Sequence, residues 1–306
     1  MTPRGARAIA ATAYLYLYPL VVQYGEMYRQ AVDPASSSYS GGFGEWRRTD
    51  HVEVSREGAG GTGGRVLRST VWLDLRAEPW CYIQPAVPAD VVFRSRWIDL
   101  CGFVLDERDA AVGGDRRVSL LAASPTPVRD VPDGIEGIVR GESAFVELQT
   151  EVRWRDERAR PSVPVVFDDV TLEPVSAQRG RPAPAQAPAI AWWPWQEDTE
   201  ITNEFWSCAN FALTLATEHP DDRDVLERIA TIGVAPGQSW DPTLLPDGTV
   251  DAIEAGMDDA LSDLFDAAGA PPTARPARCG RDAMDRDYFG RALDALGRAP
   301  SAPGGA

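Results

Sequence analysis

The chain has 306 residues, 44% of them hydrophobic, which is ample material for a buried core in one or two domains. Its 46 acidic residues against 30 basic ones leave a formal charge of −16, a field that repels nucleic-acid phosphates and anionic membrane surfaces. Every basic residue is an arginine, which excludes a pyridoxal Schiff base, an imine-forming aldolase and a phosphate-binding-loop lysine.

Cys81, Cys101, Cys208 and Cys279 show no metal-ligand spacing, and only His51 and His219 could add imidazole. Neither a metal nor an organic cofactor is expected. The opening residues combine a short basic lead with an apolar run, but tyrosines and Pro19 interrupt it and no clear cleavage site follows. No uninterrupted apolar stretch of about twenty residues is evident, so the reading is a cytoplasmic protein without membrane contact.

In chain order, Arg4 to about Ala31 reads as a helix, with Ala8, Ile9, Thr12, Leu15, Tyr16 and Leu20 at three- and four-residue spacing and a kink expected at Pro19. It carries Tyr14, Tyr16, Tyr18, Tyr24 and Tyr28. A Ser/Gly loop follows, then a strand within 46–55 and a glycine-rich turn at 57–64. That turn precedes a strand where a phosphate cradle would need a helix, so it reads as a loop.

The stretch 66–105 dominates the functional reading. Val71, Leu73 and Leu75 alternate with Thr70, Trp72 and Asp74; Phe93, Ser95, Trp97 and Asp99 alternate with Val92, Arg94, Arg96, Ile98 and Leu100. With the short segment 80–84 between them, these strands fit a three-stranded meander. Each outer strand carries a tryptophan and an aspartate two residues apart. If the two Trp/Asp faces coincide they wall an aromatic cavity holding two carboxylates; otherwise the tryptophans are core and the aspartates sit in water at the strand ends.

Further strands are expected at 117–122 and 163–172, and 145–154 reads as a long strand or as a helix turn leading into one. A Pro/Ala linker at 179–188 separates a β-rich part, 1–180 with its leading helix, from a helical part, 201–306. Within the intervening 181–200, Trp192, Trp193 and Trp195 either pack the linker onto the sheet or touch a ligand. Helices are expected at 203–217, after a cap at Asp221 or Asp222, at 249–267 with Ile253, Met257, Leu261, Leu264 and Phe265 buried, and at 282–296 after a second Pro/Ala linker, 269–276. The architecture is therefore α+β: an antiparallel sandwich-like or barrel-like core with an N-terminal helix and a C-terminal helical part.

The order of signatures resembles the family known as domain of unknown function 1254. The residues concerned are Tyr16 to Val22, Ser69 to Pro79, Trp97 to Leu100, Val146 to Gln149, Phe205 and Trp206 through His219 and Pro220, Asp224, Ile232 to Gly237, and Asp287 to Ala292. The resemblance spans nearly the whole chain. It implies a β-sandwich-like core with attached helices, in a divergent member lacking the companion domain numbered 1214. Leu17 stands where glycine is usual. Residues 63–68, 91–93 and 101–103 also depart from the family pattern, so its polar pocket candidates are replaced while Asp74 and Asp99 remain.

Aromatic and carboxylate side chains then suggest a cofactor-independent isomerase, cyclase or lyase acting on an apolar or polycyclic small molecule. Trp72, Trp97, Phe93, Tyr14, Tyr18, Trp206 and Asn210 would line the substrate, and Asp99 or Asp74, with Arg96 and Glu204, would do the acid/base work. The alternative is a non-catalytic small-molecule binding or accessory protein. A hydrolase using Ser69 or Ser95 with His219 has no nucleophile-elbow motif behind it. A small-molecule partner and no nucleic acid are expected, with a homodimer left open.

Overall fold

The structure is a computed structural model that describes residues 1–48, 52–55, 64–110, 118–125, 128, 131–160, 162–269 and 287–297. The glycine-rich turn up to residue 63, His51, Cys279, the linker from residue 270 and the expected start of the last helix lie outside the described residues. Two compact units emerge. One joins Met1–Tyr28, Leu100–Phe103 and Ala191–Ala306, and the other joins Arg29–Asp99 with Val104–Ile190. The first helix thus belongs with the helical part, whereas the sequence reading grouped it with the strands.

The second unit is a sandwich of two sheets. Strands β1 (Arg47–Arg48), β2 (Glu53–Ser55), β3 (Gly64–Asp74), β4 (Trp80–Ile83), β5 (Val91–Asp99), β6 (Val104–Asp109), β7 (Ser119–Ala123), β8 (Gly137–Arg140), β9 (Phe145–Trp154) and β10 (Thr171–Pro174) follow one another along the chain. The larger sheet runs β1, β3, β9, β5, β6, with β2 also on β3, and is antiparallel throughout. The smaller runs β10, β4, β7, β8, with β7 and β8 parallel. Val71, Leu73, Trp97, Val146 and Leu148 of the first sheet share a buried cluster with Tyr82, Leu120, Ala122 and Val139 of the second. Burying these apolar faces against each other is what holds the layers.

The expected meander does not form. β4 lies in the other sheet, and β9 separates β3 from β5. Prolines at positions 79, 85 and 88 flank β4, and their missing N–H groups disfavour continuous hairpin pairing on either side. The segment 163–172 is not one strand either: helix α2 (Ser162–Asp168) precedes β10. Its buried residues Val163, Val166 and Phe167 recur at three- and four-residue spacing, a helical stripe inside a valine-rich run.

The helical unit is built on α1 (Pro3–Met27), which runs through Pro19 and is followed by a π-helical turn, Tyr28–Val32. By length and composition Pro3–Val32 is apolar enough to cross a membrane, a test the sequence reading did not credit it with passing, yet more than half of its apolar window is buried within the protein. The other helices are the one-turn α3 (Val175–Gln178, in the sandwich unit), α4 (Glu204–Ala212), α5 (Arg223–Ala230), α6 (Thr249–Gly269) and α7 (Tyr288–Leu296). In α6, Ile253, Met257 and Leu264 are buried as expected, but Phe265 is 54% exposed: the inward stripe has turned away by that residue. Asp222 places no side-chain bond on α5; His219 instead accepts the Asp221 amide.

The closest packing of α1 and α6 depends on Gly256. A Cβ there would collide with the Arg7 carbonyl oxygen and lie 3.0 Å from Ala10 Cβ. Nearby, Arg7 and Asp259 pair at 2.7 Å on the exposed rim. Gly256→Ala is expected to lower the unfolding free energy by about 1–3 kcal/mol through overpacking, whereas Arg7→Ala should cost clearly less, because solvent screens the exposed pair. Denaturant melts of both variants check this ordering.

Candidate functional site

Strand register decides which candidate residues can meet. Val71 opposes Leu148, which opposes Trp97; Trp72 opposes Glu147, which opposes Ile98. Directly opposed side chains share a face of a sheet. Trp97 therefore enters the sandwich, where its ring meets Tyr82 edge-on at 5.4 Å, and Trp72 lies on the outer face. The carboxylates are divided in the same way. Asp99 opposes Val146, and with it Leu73, on the inner face; Asp74 opposes Phe145 on the outer one. The anticipated common Trp/Asp face does not exist.

Both aspartates are engaged in local structure. Asp74 accepts three side-chain bonds from Arg76 at 2.6–3.1 Å and the Arg76 amide at 3.0 Å, fixing the turn that leaves β3. Asp99 is 0% exposed, and its Oδ2 accepts the Glu142 amide at 3.0 Å. Gly141 packs against it so closely that a Cβ would come within 2.8 Å of Asp99 Cβ. Asp99 thus pins the chain that leads into β9. Phe93 is also core, clustered with Val152, Trp154, Val163 and Val166.

The outer face of the large sheet carries a different polar arrangement. Glu147 is only 3% exposed, sits beside Trp72 in the pairing, and accepts a bond from Gln149 Nε2 at 3.0 Å. One level along, Thr70, Gln149 and Arg96 lie abreast. Thr70 donates to Gln30 Oε1 at 2.9 Å, and the π-helical turn places this buried glutamine there. Arg96 is held by Glu107 at 2.6 Å. Beyond it the face becomes a lattice of ion pairs, Arg68 with Glu151, Arg153 with Glu151, and Arg94 with Asp109. The bond from Arg94 holds the Asp109 carboxyl below its ordinary range.

Glu147 was absent from the sequence-level candidates, although its signal was present. It is an acid between Val146 and Leu148, and alternation puts its carboxylate on the face opposite those two aliphatic side chains.

The remaining candidates belong to the helical unit. Tyr14 donates to the Glu200 carbonyl at 2.8 Å and packs on Tyr18 and Phe205. Burial pushes the Tyr14 and Tyr18 phenols well above their ordinary pKa, so both stay neutral. Trp206 meets Phe205 edge-on at 5.0 Å and lies tilted against Trp240 at 6.4 Å. Asn210 clamps a loop: Nδ2 donates to the carbonyls of Gly233 and Gln238 at 3.1 and 3.0 Å, and Oδ1 accepts the Ala235 amide at 2.8 Å. Glu204 is exposed in the first turn of α4, where its charge suits the helix dipole.

The tryptophan cluster packs on this helical unit, not on a sheet: Trp195 lies on Gly25, Trp192 faces Phe211, and Tyr24 donates to the Trp193 carbonyl. The serines of the hydrolase reading are structural, since Ser69 bonds the Arg47 carbonyl at 3.2 Å and Ser95 is buried inside the sandwich near Tyr82. Among the described residues no group of three or more His, Cys, Asp and Glu side chains gathers closely enough to hold a metal ion.

The arrangement is a mixed α+β fold that recurs in a solved structure. The chain is similar to the VPA0106 protein from Vibrio parahaemolyticus, with a TM-score of 0.72 and 19% identity over 97% of this chain and 68% of that one. At that identity the likeness carries the fold and none of the chemistry. No family model and no curated protein matches the sequence.

Because buried Asp99 satisfies a partly buried amide whereas Asp74 closes a more exposed turn, their removal should differ. Asp99→Ala is expected to cost about 1–3 kcal/mol of stability by orphaning the Glu142 amide, and Asp74→Ala no more than about 1 kcal/mol. Paired urea titrations of the two variants read the difference.

Proposed function

We propose that the chain is a cofactor-independent enzyme, an isomerase, cyclase or lyase, that acts on an apolar or polycyclic small molecule in the cytoplasm. In this reading it is a divergent relative of the domain of unknown function 1254 family, on the signatures quoted above. The observation that supports it is the buried Glu147 carboxylate set beside the Trp72 indole and bonded by Gln149. Glu147 takes the place first given to Asp74, which Arg76 engages, and Asp99, which accepts the Glu142 amide.

The chemistry is a proton shuttle. Glu147 removes a proton from one carbon of the substrate and returns it to another position or to a leaving group, so no electron acceptor is consumed. The π face of Trp72 stabilises positive charge that develops on the ring system. The indole Nε1 is buried without a hydrogen-bond partner among the described residues, which leaves a donor free for a polar substituent. Gln149 holds the carboxylate orientation from the next position on its face.

The second reading, a non-catalytic binding or accessory protein, draws on the ion pairs of the same face, where Arg96 and Glu107, and Arg94 and Asp109, already satisfy one another.

One experiment separates them. Wild type and Glu147→Gln are incubated with small-molecule extract of the producing cells and compared by native and denaturing mass spectrometry. The enzyme reading expects a ligand retained by both proteins and a change in its mass or retention time produced by wild type alone, with conversion by Glu147→Gln at least about 100-fold slower. Retention by both without conversion establishes the binding reading and sinks Glu147 as a catalyst.

A further inference from the structure

A second polar feature lies in the helical unit, independent of Glu147. Arg291 on α7 is only 4% exposed. Its Nη2 donates to the Cys101 carbonyl at 3.1 Å, and its guanidinium carbon sits over the Phe103 ring, 4.0 Å from the centroid, with the Tyr16 ring at 6.0 Å. Two of its nitrogens, Nε and Nη1, are buried and find no hydrogen-bond acceptor among the described residues. A carboxylate does stand in the cluster, but buried Asp222 bonds the Tyr16 hydroxyl instead.

Burying a cation without a counter-charge costs several kcal/mol, and proteins avoid it by pairing the charge. The carbonyl dipole of Cys101 and the two ring faces offset part of that cost, and neither supplies a negative charge to the free N–H groups. We propose that Arg291 is the anchor of a binding site for a small monoanionic carboxylate with an apolar or aromatic body. Its unpartnered N–H groups, held beside the Phe103 ring, are donors from which a carboxylate would accept. Phe103, Tyr16 and Tyr288 supply the flanking aromatic surface, the two tyrosines in edge contact at 5.2 Å. A monoanion neutralises the Arg291 charge, whereas a dianionic phosphate would set surplus negative charge beside Asp222. Tyr16, Cys101 and Tyr288 are only partly buried, so the ligand enters over their rim.

The probe is sodium benzoate, with the neutral benzamide and inorganic phosphate as comparisons, measured on the whole chain by calorimetric titration and thermal melting. Wild type is expected to bind benzoate at one site and to melt at a higher temperature in its presence, with benzamide and phosphate at least about tenfold weaker. Arg291→Met should lose benzoate binding while melting no lower than unliganded wild type, because an apolar side chain of similar reach replaces a buried unpaired charge. Should that variant not fold, Asp222→Asn carries the test: removing the neighbouring negative charge tightens benzoate binding. Failure of wild type to bind benzoate, equal binding of benzamide, tighter binding of phosphate, benzoate binding by Arg291→Met, or no tightening in Asp222→Asn would each overturn the assignment.

Discussion

The antiparallel ladder from β3 through β9 to β5 fixes the side of the sheet on which every strand-borne candidate stands. Ten residues of β3 pair with β9 and nine of β5 pair with it from the other side, without an irregularity in either register. Because side chains alternate with a period of two, a register set by hydrophobic burial leaves no freedom to turn one residue over without turning its whole strand. Val71, Leu148 and Trp97 go inward together, so Trp72, Glu147 and Ile98 must go outward together. The chemistry available on the outer face follows from burial on the inner one.

This explains where sequence reasoning succeeded and where it stopped. Alternation within a strand is local, so the inward set Val71, Leu73 and Leu75 and the full extent of β9 were readable from the side chains. The relation between the faces of two strands is not local. It depends on the parity of the pairing with β9, which lies more than forty residues farther along than β5, and nothing within 66–105 encodes it. Assigning Trp72 and Trp97 to one cavity assumed they were near neighbours in a meander, and Glu147 went unnoticed because its significance comes only from the strand on either side of it. The valine-rich run after Ser162 misled for a different reason: short apolar segments fit a helix stripe and a strand equally well until their neighbours are known.

The helical unit shows how much polar apparatus goes into holding a fold. Tyr14 and Tyr24 spend their hydroxyls on the carbonyls of Glu200 and Trp193, and Asn210 spends both ends of its amide on the loop around residue 235. Such residues look like ligand groups in a sequence, since a buried phenol or amide needs a partner and the sequence does not say whether that partner is backbone or substrate. Arg291 differs from them because its cationic edge is left over after the backbone has been served.

The division of the chain gives α1 an unusual history during synthesis. Its residues are made before the sandwich, yet the helices that cover them, α4 through α7, are encoded after residue 200. Throughout translation of the sandwich the nascent chain carries a long, tyrosine-rich apolar segment with its partners not yet made. Closure of the helical unit joins α1 to helices encoded after residue 200, contacts of very high sequence separation, which are slow to form.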